Sequence, residues 1–174
     1  MLKTIAFILA AIIAAVLLYA ANKPDTFHVE RSVNIQASPE KIFPLINDFH
    51  AWNDWTPYNK DAAMQKTFSG AEQGVGASYA WQGNNEVGKG DITITASTPV
   101  SKIVFDLHMV EPFEARNVAT FSLAGTGDTT TVTWSLDGAS PLIAKIMGLF
   151  FDMDKMIGKD FEVGLAKLKV LAEK

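Results

Sequence analysis

The chain has 174 residues, 48% of them hydrophobic, with 15 basic and 19 acidic side chains and no cysteine. That length suits one globular domain plus an appendage, with apolar material enough for a core. The absence of cysteine excludes disulfides and thiolate metal sites. A net charge of −4 without a basic cluster excludes nucleic acid as an expected partner.

The first element is an apolar run. Residues 4–21 carry no charge and consist almost wholly of Ala, Ile, Leu, Val and Phe. As a helix at about 1.5 Å per residue this stretch reaches ~27 Å, near the lower limit for a hydrocarbon core of about 30 Å. We expect a membrane segment over residues 1–21, a linker over 22–26 and a domain over 27–174. A cleaved signal peptide competes with an uncleaved anchor. Bulky Tyr19 stands three positions before a cut after Ala21, where cleavage prefers a small residue, so the anchor is favoured. Lys3 precedes the segment while Lys23 and Arg31 follow it, so flanking charge leaves orientation open. A short charged start ahead of an apolar run is how exported proteins begin. The expectation is a single-pass protein with its domain outside the cytoplasm, periplasmic in a Gram-negative cell.

Phe27, Val29, Val33 and Ile35 then alternate with polar residues as in a half-buried strand, Arg31 being the exception. Ser38-Pro39-Glu40 opens a helix: Ser38 can cap, Pro39 fits the first helical position, and Glu40 meets the positive helix end. Pro44 lacks an amide hydrogen and limits that helix, so two short helices broken near Asp48 are predicted. From Met64 the period changes to two. Turns at Gly74 to Gly76, Gly83 to Asn85, Gly88 to Gly90 and Gly125 to Asp128 separate strands over 64–69, 77–82, 90–97, 102–110, 115–124 and 129–137. Residues 141–151 read as a short apolar helix leading into a long one over 153–173. There Met153, Ile157, Phe161, Leu165 and Leu168 recur at helical spacing, and Met156, Leu171 and Ala172 widen the stripe.

Strand, two short helices, six strands and a closing helix is the element order of the START-like, helix-grip superfamily also called SRPBCC. Particular segments strengthen the likeness. Trp52-Asn53-Asp54-Trp55-Thr56-Pro57, Gly74-Val75-Gly76-Ala77-Ser78-Tyr79-Ala80-Trp81, Val87-Gly88-Lys89-Gly90, Pro112-Phe113-Glu114 and Met153 to Leu165 resemble bacterial polyketide cyclase/dehydrase-type members. The resemblance covers Phe27 to Glu173. It implies an α+β helix-grip fold: a seven-stranded curved antiparallel sheet around a long C-terminal helix, two short helices after the first strand, and here an added N-terminal transmembrane helix. It also implies an apolar cavity between sheet and helix. Function is not implied as firmly, since the superfamily includes carriers, cyclases and chaperone regulators.

Candidate wall residues for a hydrophobic small molecule or lipid are Trp52, Trp55, Tyr79, Trp81, Phe105, Leu107, Phe121 and Trp134 on the sheet side and Ile157 and Phe161 on the helix. Plain core packing demands the same alternation. Gly158 and Gly164 each cost the helix about 1 kcal/mol against alanine, which close packing or room for a ligand would offset. Arg116 is a candidate for orienting a polar ligand end if its face is the interior, and a surface ion pair with Glu114 is the competing reading. His28, His50 and His108 have no metal-like neighbours. His108 lies on the face opposite Phe105 and Leu107, where solvent exposure is expected. No catalytic motif, metal site or cofactor is expected. The leading expectation is a membrane-tethered binder of a hydrophobic molecule or lipid, without chemistry of its own. A polyketide cyclase/aromatase-like enzyme is the first alternative and a chaperone-regulator-like interaction module the second.

Overall fold

A computed structural model describes residues 2–174. Helix α1 (Leu2–Ala21) is followed by strand β1 (Thr26–Ile35), helix α2 (Pro39–Asn47) and a 3-10 turn at Ala51–Asp54. Strands β2 (Gln65–Gly70), β3 (Ala77–Gln82), β4 (Lys89–Thr98), β5 (Lys102–Glu111), β6 (Ala115–Thr126) and β7 (Thr129–Ala139) come next, then α3 (Leu142–Met147) and α4 (Met153–Ala172). Each strand lies within one or two residues of the range its alternation predicts. The break after α2 falls at Asp48, whose extended backbone ends the helix.

The seven strands form one antiparallel sheet in the order β1-β7-β6-β5-β4-β3-β2. Hairpins account for every neighbour pair from β2 to β7. The first strand then pairs with the last, Thr26 opposite Ala139 and Ile35 opposite Thr130. Register shifts between β4 and β5 leave one extra residue on each strand, Val110 on β5 beside Lys89/Gly90 and Thr95 on β4 between Ile94 and Ala96, which bends the sheet and makes one face concave. Gly88, with φ +64, turns the chain into β4, and a Cβ there would fall 2.2 Å from the Glu111 carbonyl oxygen.

The core lies between the concave face and a layer made of α2, the 3-10 turn and α4. It buries Val29, Ile35, Ile42, Ile46, Ile94, Ile103, Phe105, Phe121, Val132, Trp134, Phe161, Leu165 and Leu168. Helix α4 runs along β1 and also meets β7. Asp152 caps it by accepting from the Lys155 N–H at 3.1 Å. The stripe expected on this helix is only partly buried: Phe161, Leu165, Leu168 and Ala172 are inside, whereas Met153 and Met156 are 45% and 58% exposed. Polar contacts hold the first turns instead. Arg31 donates from Nη2 to the Asp154 carboxylate at 2.9 Å and from Nε to Glu162 at 2.9 Å.

Candidate functional site

At the end of the concave face near the C-terminal half of α4, aromatic rings fill the space between helix and sheet. Trp134 and Phe161 stack at a centroid distance of 4.0 Å and an interplanar angle of 10°, and Phe121 lies 4.7 Å from Trp134 on the other side. Trp55 meets Trp134 edge-on at 5.9 Å, and Trp52 meets Phe105 at 5.4 Å. The last-turn carbonyls of a helix lack intrahelical partners. In α2 two of them are claimed by indoles: Trp52 Nε1 donates to the Ile46 oxygen and Trp55 Nε1 to the Leu45 oxygen, both at 2.9 Å. The Trp52/Trp55 segment therefore pins α2 to the core while its rings pack inward.

The two helix glycines answer to close packing. A Cβ on Gly164 would lie 2.9 Å from both Pro57 Cδ and Trp134 Cζ3. One on Gly158 would lie 2.1 Å from Arg31 Nη2. Arg31 is thus the inward-facing exception in β1, and its guanidinium occupies the hollow that Gly158 leaves. The guanidinium holds the Asp154 carboxyl below the usual carboxylate range.

The other end of the concave face is less complete. Register aligns Lys66, Trp81, Gly90, Met109 and Ala115 across five strands, with Phe68, Tyr79, Ile92, Leu107 and Asn117 in the next row. Trp81, Leu107 and Met109 are half-buried. The Trp81 ring lies against Gly90, where a Cβ would fall 2.6 Å from its carbons, and its Nε1 donates to the Val87 oxygen at 3.1 Å. Lys66 shares this face because it is two residues from Phe68 on β2. Its Nζ donates to Asn53 Oδ1 at 2.6 Å and Asn59 Oδ1 at 2.5 Å, and burial lowers its pKa. The Tyr79 hydroxyl is pushed up to about 12 by burial. Partial burial of Tyr58, which keeps 36% of its surface exposed, acts in the same direction, with Asp160 and Tyr79 nearby. Both phenols are therefore protonated donors at neutral pH. Lys60 bridges the loop that carries Tyr58 to Asp160 on α4 at 3.2 Å. The register places no histidine or carboxylate among the described residues of the concave face. No group of three or more His, Asp or Glu suited to a metal occurs among the described residues.

The sequence-derived wall residues thus divide. Trp52, Trp55, Tyr79, Phe105, Phe121, Trp134 and Phe161 sit together in the packed core, and Trp81, Leu107 and Ile157 are the half-buried members. Arg116 belongs to neither group. Its partner across β5 is His108, so it projects from the convex face, where Nη1 reaches Asp106 at 3.0 Å. The expected Glu114–Arg116 pair does not form: Glu114 stands near His108 at 3.7 Å. His108 does face away from Phe105, as its strand position requires, but Asp91 at 3.0 Å and its neighbours leave its side chain only 18% exposed. On that convex side a shallow hollow of about 440 Å³ lies among His28, Asp106, Arg116 and Asp137. Lys66 and Tyr58 were not singled out by the sequence, and Met109 is read there only as an inward member of its strand with Phe105 and Leu107. Lys66 was findable from its strand parity with Phe68, whereas Tyr58 lies in a loop with no period to reveal its face.

Comparison with known proteins agrees with this architecture. Residues 26–173 match the family described as polyketide cyclase / dehydrase and lipid transport. The chain belongs to this family, a branch of the SRPBCC superfamily. A Chromobacterium violaceum protein of solved structure superposes with TM-score 0.59 at 16% identity, covering 87% of this chain and 99% of its own. The Aha1 dimer of Colwellia psychrerythraea gives TM-score 0.60 at 19% identity, over 84% of this chain and 96% of that one. A Thermobifida fusca protein gives 0.61 at 23%, over 83% and 92%. These structures share the fold. A search of curated protein sequences returns no match.

Proposed function

We propose that the domain binds an apolar small molecule or lipid at the open end of its concave face, tethered to a membrane by α1 and without chemistry of its own. The observation that carries this reading is the set of half-buried side chains Trp81, Leu107 and Met109 in two neighbouring rows of the concave face, with α4 lying over β1 and β7 instead. Apolar surface that is concave, incompletely covered and bordered by a few polar groups suits an amphiphile. Lys66, in the same row as Trp81, supplies a donor for a polar end. The family description, which joins cyclases with lipid transport, supports the same class of ligand. A carrier is favoured over a cyclase because the register brings no carboxylate or histidine onto the concave face, and Lys66, the inward group able to move a proton, is held by Asn53 and Asn59. The helix Lys3–Ala21 is long and apolar enough to span a membrane, a test that a signal sequence also passes. We read it as the tether, with the domain outside the cytoplasm.

The test is native mass spectrometry of the full chain released from detergent, paired with titration of the fluorescent fatty acid cis-parinaric acid. Co-purifying apolar adducts and saturable probe binding are expected. Leu107→Trp, which fills the open end, and Leu107→Glu, which charges it, should each weaken probe binding at least tenfold, about 1.4 kcal/mol. Adduct-free protein, with probe binding indifferent to both substitutions, would overturn the reading.

A further inference from the structure

We propose that the segment joining β7 to α4, Leu142–Met156, is a membrane-contact surface that seats the open end of the domain on the bilayer. The inference rests on the reading of α1 as a membrane span. Within this segment Ile143, Met147, Phe150, Phe151, Met153 and Met156 are all exposed, Phe150 at 75% and Ile143 at 65%. The other exposed large apolar side chains of the globular part are spread over its remaining length. A concentration of this kind marks a surface that water does not normally cover.

Two features identify the bilayer as what covers it. First, the segment is continuous with α1. Helix α3 packs against α1, whose buried and half-buried positions, Ala20 and Val16, lie in its last turns. The same junction is tied by polar contacts: the side chain of Lys145, only 6% exposed, reaches Asp25 Oδ1 at 2.6 Å, and the Ser140 N–H donates to the Asp25 oxygen at 2.6 Å. Where α1 leaves the hydrocarbon, α3 is therefore beside it and cannot swing away. Second, the chain direction of each strand places one end of the sheet on that side. The start of β1 and the end of β7 are there, and register continues the same end through Ala115, Met109, Gly90 and Trp81. The open row of the concave face and exposed Phe113, at the β5–β6 turn, thus belong to the bilayer-facing end. An amphipathic element whose aromatic and aliphatic side chains lie in the headgroup region adds affinity that a single span does not need. Its use is orientation: a lipid could pass between bilayer and row without crossing water.

The chain has no cysteine, so single labels can be placed on the full-length protein without background. Ile12→Cys, Ile143→Cys, Phe150→Cys and Val75→Cys, each carrying a nitroxide, are reconstituted in phosphatidylcholine/phosphatidylglycerol vesicles. Collision with oxygen reports lipid and collision with a nickel chelate reports water. Ile12 monitors the span and Val75, at the opposite end of the sheet, monitors solvent. Nickel accessibility at Ile143 and Phe150 should be several-fold below that at Val75, with oxygen accessibility approaching that at Ile12. Water-like values at Ile143 and Phe150 with Ile12 in lipid would overturn the contact surface and leave the tether standing. Ile12 in water would remove the tether and the contact surface together. Shielding of Ile143 and Phe150 from both reagents, with spin–spin broadening, would mean that a second copy covers the face and would also overturn the proposal.

Discussion

The two ends of the sheet–helix interface are built from similar residues to opposite effect. Toward the C-terminal half of α4, Trp134, Phe161, Phe121 and Trp55 contact one another in stacked and edge-on pairs, and Gly164 draws the helix down onto them. Toward its N-terminus, Met153 and Met156 are exposed, and the sheet offers Trp81, Leu107 and Met109 only half-covered. One end spends its aromatic surface on cohesion, and the other keeps apolar surface available. On the function proposed above, stability and binding fall to different parts of one interface, so changes at the closed end should alter folding and changes at the open end should alter occupancy.

The largest effect is expected from Trp134→Ala, which removes the ring between Phe121 and Phe161. Urea unfolding should show a loss of about 3–5 kcal/mol. A loss under 1 kcal/mol would show that the closed end is not the source of cohesion. Gly164→Ala is expected next, at about 1–3 kcal/mol, because its Cβ would press on a proline ring and an indole that cannot rotate away. Gly158→Ala should cost less than Gly164→Ala in the same assay. Its obstruction is the far end of a flexible arginine, and alanine returns about 1 kcal/mol of helix propensity. Reversal of that order would refute the account of the two glycines.

The smallest effect concerns His28, on the convex face, away from the sheet–helix interface. Asp137, accepting at 2.7 Å, raises the His28 pKa above its ordinary 6.5. Stability from the charged pair is then fully present below pH 6.5 and is lost as pH rises through the folded-state value. His28→Ala should flatten that decline by about a degree in Tm or less, since both groups are exposed. A larger flattening would mean that the convex face contributes more than its exposure suggests.

Strand alternation made the sheet legible, because a curved sheet with one buried face imposes period two on every strand. The closing helix was equally legible from its stripe. What the sequence held only as separate anomalies was the pairing of Arg31 with Gly158, 127 positions apart along the chain. Each breaks its local pattern, and only the alignment of α4 along β1 shows that one fills the other. Arg116 failed for a related reason. Which face a strand residue takes depends on register with its neighbours, and opposite His108 it must point outward. Trp52 and Trp55 were visible as apolar rings, but the claim of their N–H groups on the end of α2 has no sequence period. The stretch from Leu142 to Met156 read as apolar, and apolarity alone does not say whether protein or lipid covers it.

Only Asn22 to Asp25 separate α1 from β1, and Lys145 holds the last of them. Four residues reach at most about 14 Å, so, with α1 as the proposed membrane tether, the domain has almost no search volume. For a ligand dissolved in the same bilayer, confinement acts as a fixed, high effective concentration, and weak intrinsic affinity then suffices for occupancy. Delivery to a distant membrane, by contrast, would require the acceptor to come to it.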